Sequence, residues 1–317
     1  MSLAQLQVFS DYLEAASTEV LTQQVNLFNA ATKGAIVLRN GSNRGDFTFN
    51  LKYQLLSGLV RERDAYSDAP VASKDLVRIM EGSVKLGRGA GPINIDQGLW
   101  DWIGRSPEEA GAAIGQQLAP AILAEKLNTA LLAFVSATLN VGSTLVHDYS
   151  GSGKLDLSVL VDGTQKLGDR SNQISCWVMN SKCWFDLVKD AITNSTNLFT
   201  FGTIQVMNDG LGRPFVITDS DNLVDTPKYY TLGLTPLAIV VEDNGAMRTN
   251  TELKNGYTNI KSTYQAQWDY NLGMKGYLWD EANGGACPNN AAIGSGSNWI
   301  KTASSVKDMA GVLVVSQ

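Results

Sequence analysis

Residues 106–140 read SPEEAGAAIGQQLAPAILAEKLNTALLAFVSATLN, and how this stretch folds decides how the rest of the chain can be arranged. It opens with a helix-start signature. Ser106 suits the N-cap, Pro107 the first helical position, and Glu109 closes a capping box. The carboxylates of Glu108 and Glu109 also suit the positive end of the helix dipole. Ile114, Leu118, Ala121, Ile122, Leu127, Leu131, Phe134 and Val135 then recur close to helical spacing. At ~1.5 Å per residue such a helix is about 50 Å long. Pro120 is expected to kink or split it, because proline removes a ladder donor and crowds the preceding turn. No heptad repeat accompanies the helix, so it reads as a spine on which other parts are hung.

A second stretch matches it in length. Residues 260–274 read IKSTYQAQWDYNLGM, with Ile260, Tyr264, Ala266, Trp268, Tyr270, Leu272 and Met274 on one face and Ser262 as that face's only polar member. Lys261, Thr263, Gln265, Gln267, Asp269 and Asn271 fall on the other, which is the period-two alternation of a half-buried strand. At ~3.3 Å per residue this strand also reaches about 50 Å, far beyond the ~5–6 residues of an ordinary strand. The long strand is expected to lie along the long helix.

The chain has 317 residues, 44% hydrophobic and 18% charged, which suits one large domain or two with a good core. Its net charge is −6 and it has no Lys/Arg run, which argues against sequence-specific nucleic-acid binding. No stretch approaches the ~18 consecutive apolar residues of a membrane span. The N-terminus lacks the basic-then-apolar order of a secretory signal. Cys176, Cys183 and Cys287 match no zinc or redox spacing and read as buried thiols in a reducing compartment. Without a signal, the N-x-[ST] matches at Asn40 and Asn194 read as chance.

Residues 3–30 carry Leu6, Phe9, Leu13, Val20, Leu27 and Phe28 among many polar residues. They read either as a weakly amphipathic arm, helical or extended, or as a first core helix. Residues 47–55, FTFNLKYQL, alternate as a strand. A second β-like run covers 76–86 and is expected to break at the glycine-rich LGRGAGP of 86–92. Together these form a long hairpin with a polar tip between about 57 and 75. A lone two-stranded ribbon is marginal in water. No later segment reads as its cover, so the expected partner is another copy of the chain. Phe47, Phe49, Arg61, Glu62, Arg63, Asp64, Lys74 and Asp75 are the candidate inter-subunit contacts. The charged tip reads equally as a solvated loop, since exposed ion pairs contribute only ~0–1 kcal/mol.

Beyond the long helix, Asp156 caps a short helix with Leu157, Leu160, Val161, Thr164 and Leu167 on one face, ended by Gly168. ISCWVM at 174–179 reads as a buried strand, and Ser181 as the cap of a helix carrying Trp184, Phe185, Leu187, Val188 and Ile192. Strand-like runs at 203–207 and 213–218 are joined by NDGLG. Further runs at 228–232 and 237–242 complete a mixed α+β layer from 155 to 242. The chain closes on an apolar run, Ala310–Val315.

Chemistry-bearing motifs fail. His147 is the only histidine and falls in a polar turn, HDYSGSGK at 147–154, where a solvated side chain is the plain reading. GSGK at 151–154 lacks both the first glycine and the Ser/Thr of a phosphate loop, with Asp148 and Leu155 in their places. Gly87-Arg88-Gly89-Ala90-Gly91 lacks dinucleotide-fingerprint spacing, and Pro92 stands where a helix should open. No catalytic residues, cofactor site or metal site is expected.

The layout of arm, long hairpin, long helix, α+β layer, very long strand and C-terminal return resembles the tailed-bacteriophage major capsid proteins of the Hong-Kong-97-type (Johnson) fold. Residues 156–190, DLSVLVDGTQKLGDRSNQISCWVMNSKCWFDLVKD, resemble that family's helix, "GD", strand and "V-M-x-S" helix succession. ITDSDNL at 217–223 and YYTLGLTPLAIVVEDNGA at 229–246 resemble the strands that follow. Residues 273–315 are similar to a C-terminal signature of one branch, with "G-x-K-G-x-x-W", a proline-led small-residue segment, "NW", a lysine and a closing strand. The arm and hairpin match by layout only.

The resemblance implies an α+β capsid fold: 1–40 as N-terminal arm, 41–97 as extended β-hairpin loop, 98–148 and 243–285 as peripheral domain with the spine helix, and 149–242 and 286–317 as axial domain. It implies a non-enzymatic homo-oligomer of hexameric and pentameric capsomers. These build the icosahedral virion shell inside the bacterial host cytoplasm. The shell would enclose double-stranded DNA without reading its sequence and without a membrane, with cement or decoration, scaffolding and portal proteins as further partners. Lys52, Lys74 and Lys85 lie in the hairpin, but no partner asparagine or catalytic glutamate is matched, so covalent crosslinking is not carried over. An encapsulin-like cellular compartment is the alternative from the same fold; a soluble α+β enzyme is a remote one.

Overall fold

The computed structural model describes residues 3–317 except 42–44, 54–59, 64, 77, 97–106, 152, 195–211, 246, 257 and 259–260. Ser106, Ile260 and the 203–207 run with its turn lie outside the described residues. So do the side chains of Leu6, Phe9, Leu27 and Glu108.

Helix α1 (Leu3–Ala31) leads into strand β1 (Ile36–Asn40). Strands β2 (Phe47–Tyr53) and β3 (Arg78–Asp96) form the hairpin, and α2 (Pro107–Val141) is the spine. Pro120 does not split α2, which is one helix of 35 residues. Leu118 and Ala119 before the proline and Ile122 after it are all buried, so packing carries the helix through the proline, which itself faces outward. The stretch from 111 to 144 is long and apolar enough to cross a membrane by length and composition. In this fold its apolar side chains build the core: Ala119, Ala130, Ala133, Phe134 and Ala137 are fully buried. The loosely patterned α1 packs on its own chain rather than waiting for a neighbour. Leu13 is buried against Leu118, Ile122, Tyr264 and Ala266, while Val25 and Phe28 reach the main core. The Asn29 side chain donates to Leu38 O and accepts from Leu38 N, which pins the start of the chain to β1.

Strands β4 (Val146–Asp148), β5 (Cys176–Met179), β6 (Phe215–Ile217), β7 (Val224–Asp225) and β8 (Lys228–Leu234) follow. They alternate with α3 (Leu157–Gln165) and α4 (Ser181–Asn194). Asp156 caps α3 by accepting from Val159 N, and Gly168, at φ +57°, turns the chain out after it. The cap of α4 lies one residue earlier than Ser181: Asn180 accepts from Lys182 N, while Ser181 N donates to Asp219.

Strands β9 (Ile239–Asp243), β10 (Arg248–Lys254) and β11 (Lys261–Met274) lead to the ribbon β12 (Tyr277–Trp279) and β13 (Trp299–Lys301), and β14 (Gly311–Ser316) closes the chain. The one-turn helices α5 (Glu281–Gly284) and α6 (Asn290–Ile293) lie between the two ribbon strands.

Among the described residues, two six-stranded sheets result besides the β12–β13 ribbon. The first has order β1-β9-β11-β3-β2, with β10 also on β11; the second has order β4-β14-β8-β5-β6, with β7 on β8. The run at 237–242 therefore belongs to the first sheet, not to the 155–242 layer. It pairs in parallel with β1 and antiparallel with β11, both of which offer it apolar neighbours at Ile36, Leu38 and Leu272. In the second sheet β5 and β14 are buried throughout, as expected for strands covered on both faces.

The glycine-rich run at 86–92 does not break β3. Ser83 to Asp96 pair antiparallel with β11, and the register shifts where Gly91 and Pro92 face the single residue Gln265. Gly91, at φ +96°, makes the bulge possible: a Cβ there would sit 2.7 Å from Tyr264 O. The long strand is thus the hairpin's partner within one chain. It also follows the spine, with Leu118 and Ile122 near Tyr264 and Ala266, and Glu125 bonded to Tyr270.

Candidate inter-subunit surface

The alternation of FTFNLKY puts Phe47, Phe49, Leu51 and Tyr53 on one face of β2. Register places them opposite Val84, Gly82, Met80 and Arg78 of β3. Val84 is fully buried and lies opposite Leu272, so this face is the core face of the sheet. Phe47 packs on that core. Gly82 leaves room for Leu278 of β12, whose Cδ1 would stand 2.5 Å from a Cβ there, and Phe49 lies alongside. Beyond this point the cover ends while the apolar face continues: Leu51 is 65% exposed, Tyr53 62% and Met80 49%. The ribbon therefore carries an uncovered extension of the molecule's own core.

The described residues between the strands are exposed as well. Val60, Val71 and Leu76 stand in solvent and Tyr66 is 100% exposed. Of the sequence-derived contact residues, Phe47 is half-buried in its own chain, and Phe49, Arg61, Glu62, Arg63, Lys74 and Asp75 are exposed or largely so; Asp64 lies outside the described residues. Leu51, Tyr53 and Met80 were not singled out from sequence, although their spacing from Phe47 and Phe49 is the signal that finds Leu51 and Tyr53.

The root of the ribbon is anchored by a polar cluster. Arg88 Nε of β3 donates to Glu125 Oε1 of α2 at 2.6 Å, and Arg88 Nη2 to Asn290 Oδ1 at 2.7 Å. Tyr270 OH and Thr129 Oγ1 donate to the same Glu125 carboxylate at 3.0 Å each. Burial, and then the Glu125 charge, push the Tyr270 hydroxyl up, so it stays a donor at all ordinary pH. A second pair, the buried Lys126 Nζ to the partly buried Asp243 Oδ1 at 2.5 Å, ties α2 to the end of β9.

Burial pushes the Cys176 thiol up to about 12 and raises that of Cys183, so neither is a thiolate nucleophile. Cys287 differs from the expected buried thiol: it is exposed, in the loop between α5 and α6. His147 is not in a turn. It lies in β4 opposite Val314, half-buried, with Nε2 enclosed and unpaired among the described residues. No group of three or more His, Cys, Asp or Glu side chains is placed to hold a metal among the described residues.

A family model described as "Gp13-like: Major capsid protein 13-like" matches residues 5–313. No curated protein matches the chain. Among solved structures, a chain of "The capsid of Myoviridae Phage XM1" superposes with a TM-score of 0.52 at 11% identity, over 90% of each chain. A chain from "Acidic stable capsid structure of Helicobacter pylori bacteriophage KHP30" gives 0.53 at 9% identity, over 91% of this chain and 89% of that one. A chain of "Cyanophage Pam1 capsid asymmetric unit" gives 0.51 at 11%, over 86% and 85%. At these identities the likeness is one of fold.

Proposed function

The chain belongs to the Gp13-like major capsid protein family and forms the capsid shell of a phage virion; from that premise we propose that its β2–β3 ribbon is the arm by which one subunit grips the next. The observation that carries this is the uncovered run of core face, Leu51, Tyr53 and Met80, at the end of the ribbon. Exposed apolar surface contiguous with a core marks an interaction site, and a shell protein meets its own copies most often. The cellular-compartment alternative is not favoured by the family match.

The domain reading follows the two sheets. The spine α2 and the first sheet make the peripheral domain; the second sheet with α3 and α4 makes the axial one, which would gather around the axes of hexamers and pentamers. Because β9 pairs in the first sheet, we take the boundary between them at the turn at 235–238 rather than at 242. Residues 1–40 belong with the peripheral domain, since α1 packs on α2 and β1 on β9. The protein's role is to enclose double-stranded DNA rather than to read or transform it. Its −6 charge is consistent with a wall that does not grip phosphate, and cement, scaffolding and portal proteins are its natural further partners.

Negative-stain electron microscopy and sedimentation of the protein expressed alone, beside an L51S/Y53S variant, test the ribbon's role. Wild-type rings or closed shells are expected. The variant should keep the thermal stability of the unassembled subunit, within about 0.5 kcal/mol as for exposed sites, and lose the particles. A variant that assembles like wild type overturns the proposal.

A further inference from the structure

The face of the first sheet opposite Val84 and Leu272 carries a groove of about 390 Å³, lined among others by Arg39, Lys52, Glu81, Leu237, Glu242 and Lys275. Its carboxylates are already engaged. Glu242 pairs with Arg39 across β1 and β9. Glu81 Oε2 lies 2.5 Å from Lys52 Nζ, and its Oε1 accepts from Gly276 N at 3.0 Å. The third cation, Lys275, is half-buried; its backbone N–H donates to Ala238 O at 3.0 Å, but its ammonium has no hydrogen bond or ion pair among the described residues. Asp308, the other acid near it, is held by Arg170 at 2.6 Å. Burial, then the neighbouring Lys52, hold the Lys275 ammonium below the ordinary lysine range. A half-buried cation beside two other cations, with every nearby acid taken, leaves a site one negative charge short.

We propose that this groove receives a carboxylate from residues 65–76 of a second copy, AYSDAPVASKDL, with Lys275 as its counter-ion. That segment has the matching chemistry. Asp68 and Asp75 are exposed and flank the exposed Val71, while the groove sets Lys275 beside the apolar wall of Pro236 and Leu237, the latter 54% exposed. Within one chain the segment stands clear of the groove: Tyr66 is fully exposed, and none of the described residues from 60 to 76 lines it. The inference rests on the shell-forming reading and specifies where the grip lands.

Particles assembled from mixed light and heavy-isotope subunits, treated with a zero-length carbodiimide and digested, should give a Lys275 link to Asp68 or Asp75 that joins a light peptide to a heavy one. K275E should lower particle yield roughly tenfold or more, as for a charge pair broken at an interface. D68K or D75K in the same chain should restore the yield. K275M subunits should unfold at or above the wild-type temperature, which separates docking from folding. The groove proposal fails, with the shell reading intact, if wild-type particles form and K275E matches their yield, if neither second-site change rescues it, or if the link forms only within one chain. A wild-type chain that stays monomeric in sedimentation overturns the shell-forming reading and this one with it.

Discussion

Gly233 sits where the second sheet has no room for a side chain. A Cβ there would meet Trp177 Cζ3 at 2.7 Å and Val312 Cγ2 at 2.9 Å, both on neighbouring strands. G233A should therefore destabilise the subunit by about 1–3 kcal/mol, the cost of overpacking, read as a lowered denaturant midpoint. Acid sensitivity is argued at the same scale. Asp148 accepts from Ser150 Oγ at 2.6 Å and Ser150 N at 3.0 Å, and these bonds hold its carboxyl below the usual range. A depressed folded value means the stabilisation is complete above the unfolded carboxylate pKa of ~3.9 and is lost as pH falls through the folded value. S150A should thus weaken the subunit at neutral pH and make little difference below both values, as pH-dependent unfolding would record. Some caps could be read from the sequence and others could not. Asp156 has no rival beside it and is the cap it looks to be, whereas Asn180 and Ser181 both suit the role, and a remote residue, Asp219, takes the Ser181 amide.

The long elements were legible because their periodicity is long. The fourteen residues of β11 keep one face buried nearly throughout, and α2 matches its apolar spacing over almost its whole length. Pro120 does not split the spine and the 86–92 glycines do not break β3, for a shared physical reason: a local breaker reports a local cost, and packing of the flanking residues can exceed it. That makes a prediction for the spine. An interior proline costs up to about 3 kcal/mol relative to alanine, and Pro120 faces outward, so P120A should raise subunit stability by as much as that amount. A rise in thermal midpoint would show it; no rise would mean that the helix already relaxes around the proline. The ribbon's exposed face was legible in part. Alternation put Leu51 and Tyr53 beside Phe47 and Phe49, but only the register with β3 and the end of β12 cover reveals where the core stops protecting them.

At the scale of the molecule, the order of the parts is recognisable from sequence while their sheet membership is not. The passage from the second sheet to the first occurs at Thr235–Ala238, with no change in composition to mark it. The hairpin's partner was missed because the two strands lie far apart in sequence, and pairing over such a distance leaves no local trace. Since β3 is anchored by β11 and by Arg88, the exposed end of the hairpin should be dispensable for folding. Replacing residues 54–77 by Asn-Gly, a turn suited to a two-residue hairpin, should leave circular dichroism and the unfolding midpoint of the subunit close to wild type. Particles should no longer form, and stability should no longer rise with protein concentration as it does when assembly is linked to folding.

The pairing of β3 with β11 has a mechanical consequence. If a neighbour grips the ribbon as proposed, its pull acts on β3 along the strand axis, so the twelve residue pairs from Ser83–Gly273 to Asp96–Lys261 would be loaded in shear and resist together rather than peel one by one. The load then passes across β11 to β9, and through Arg88 and Glu125 into the spine. Tension between subunits would be carried by the stiffest line in each of them, and the bulge at Gly91 would be the first place to yield.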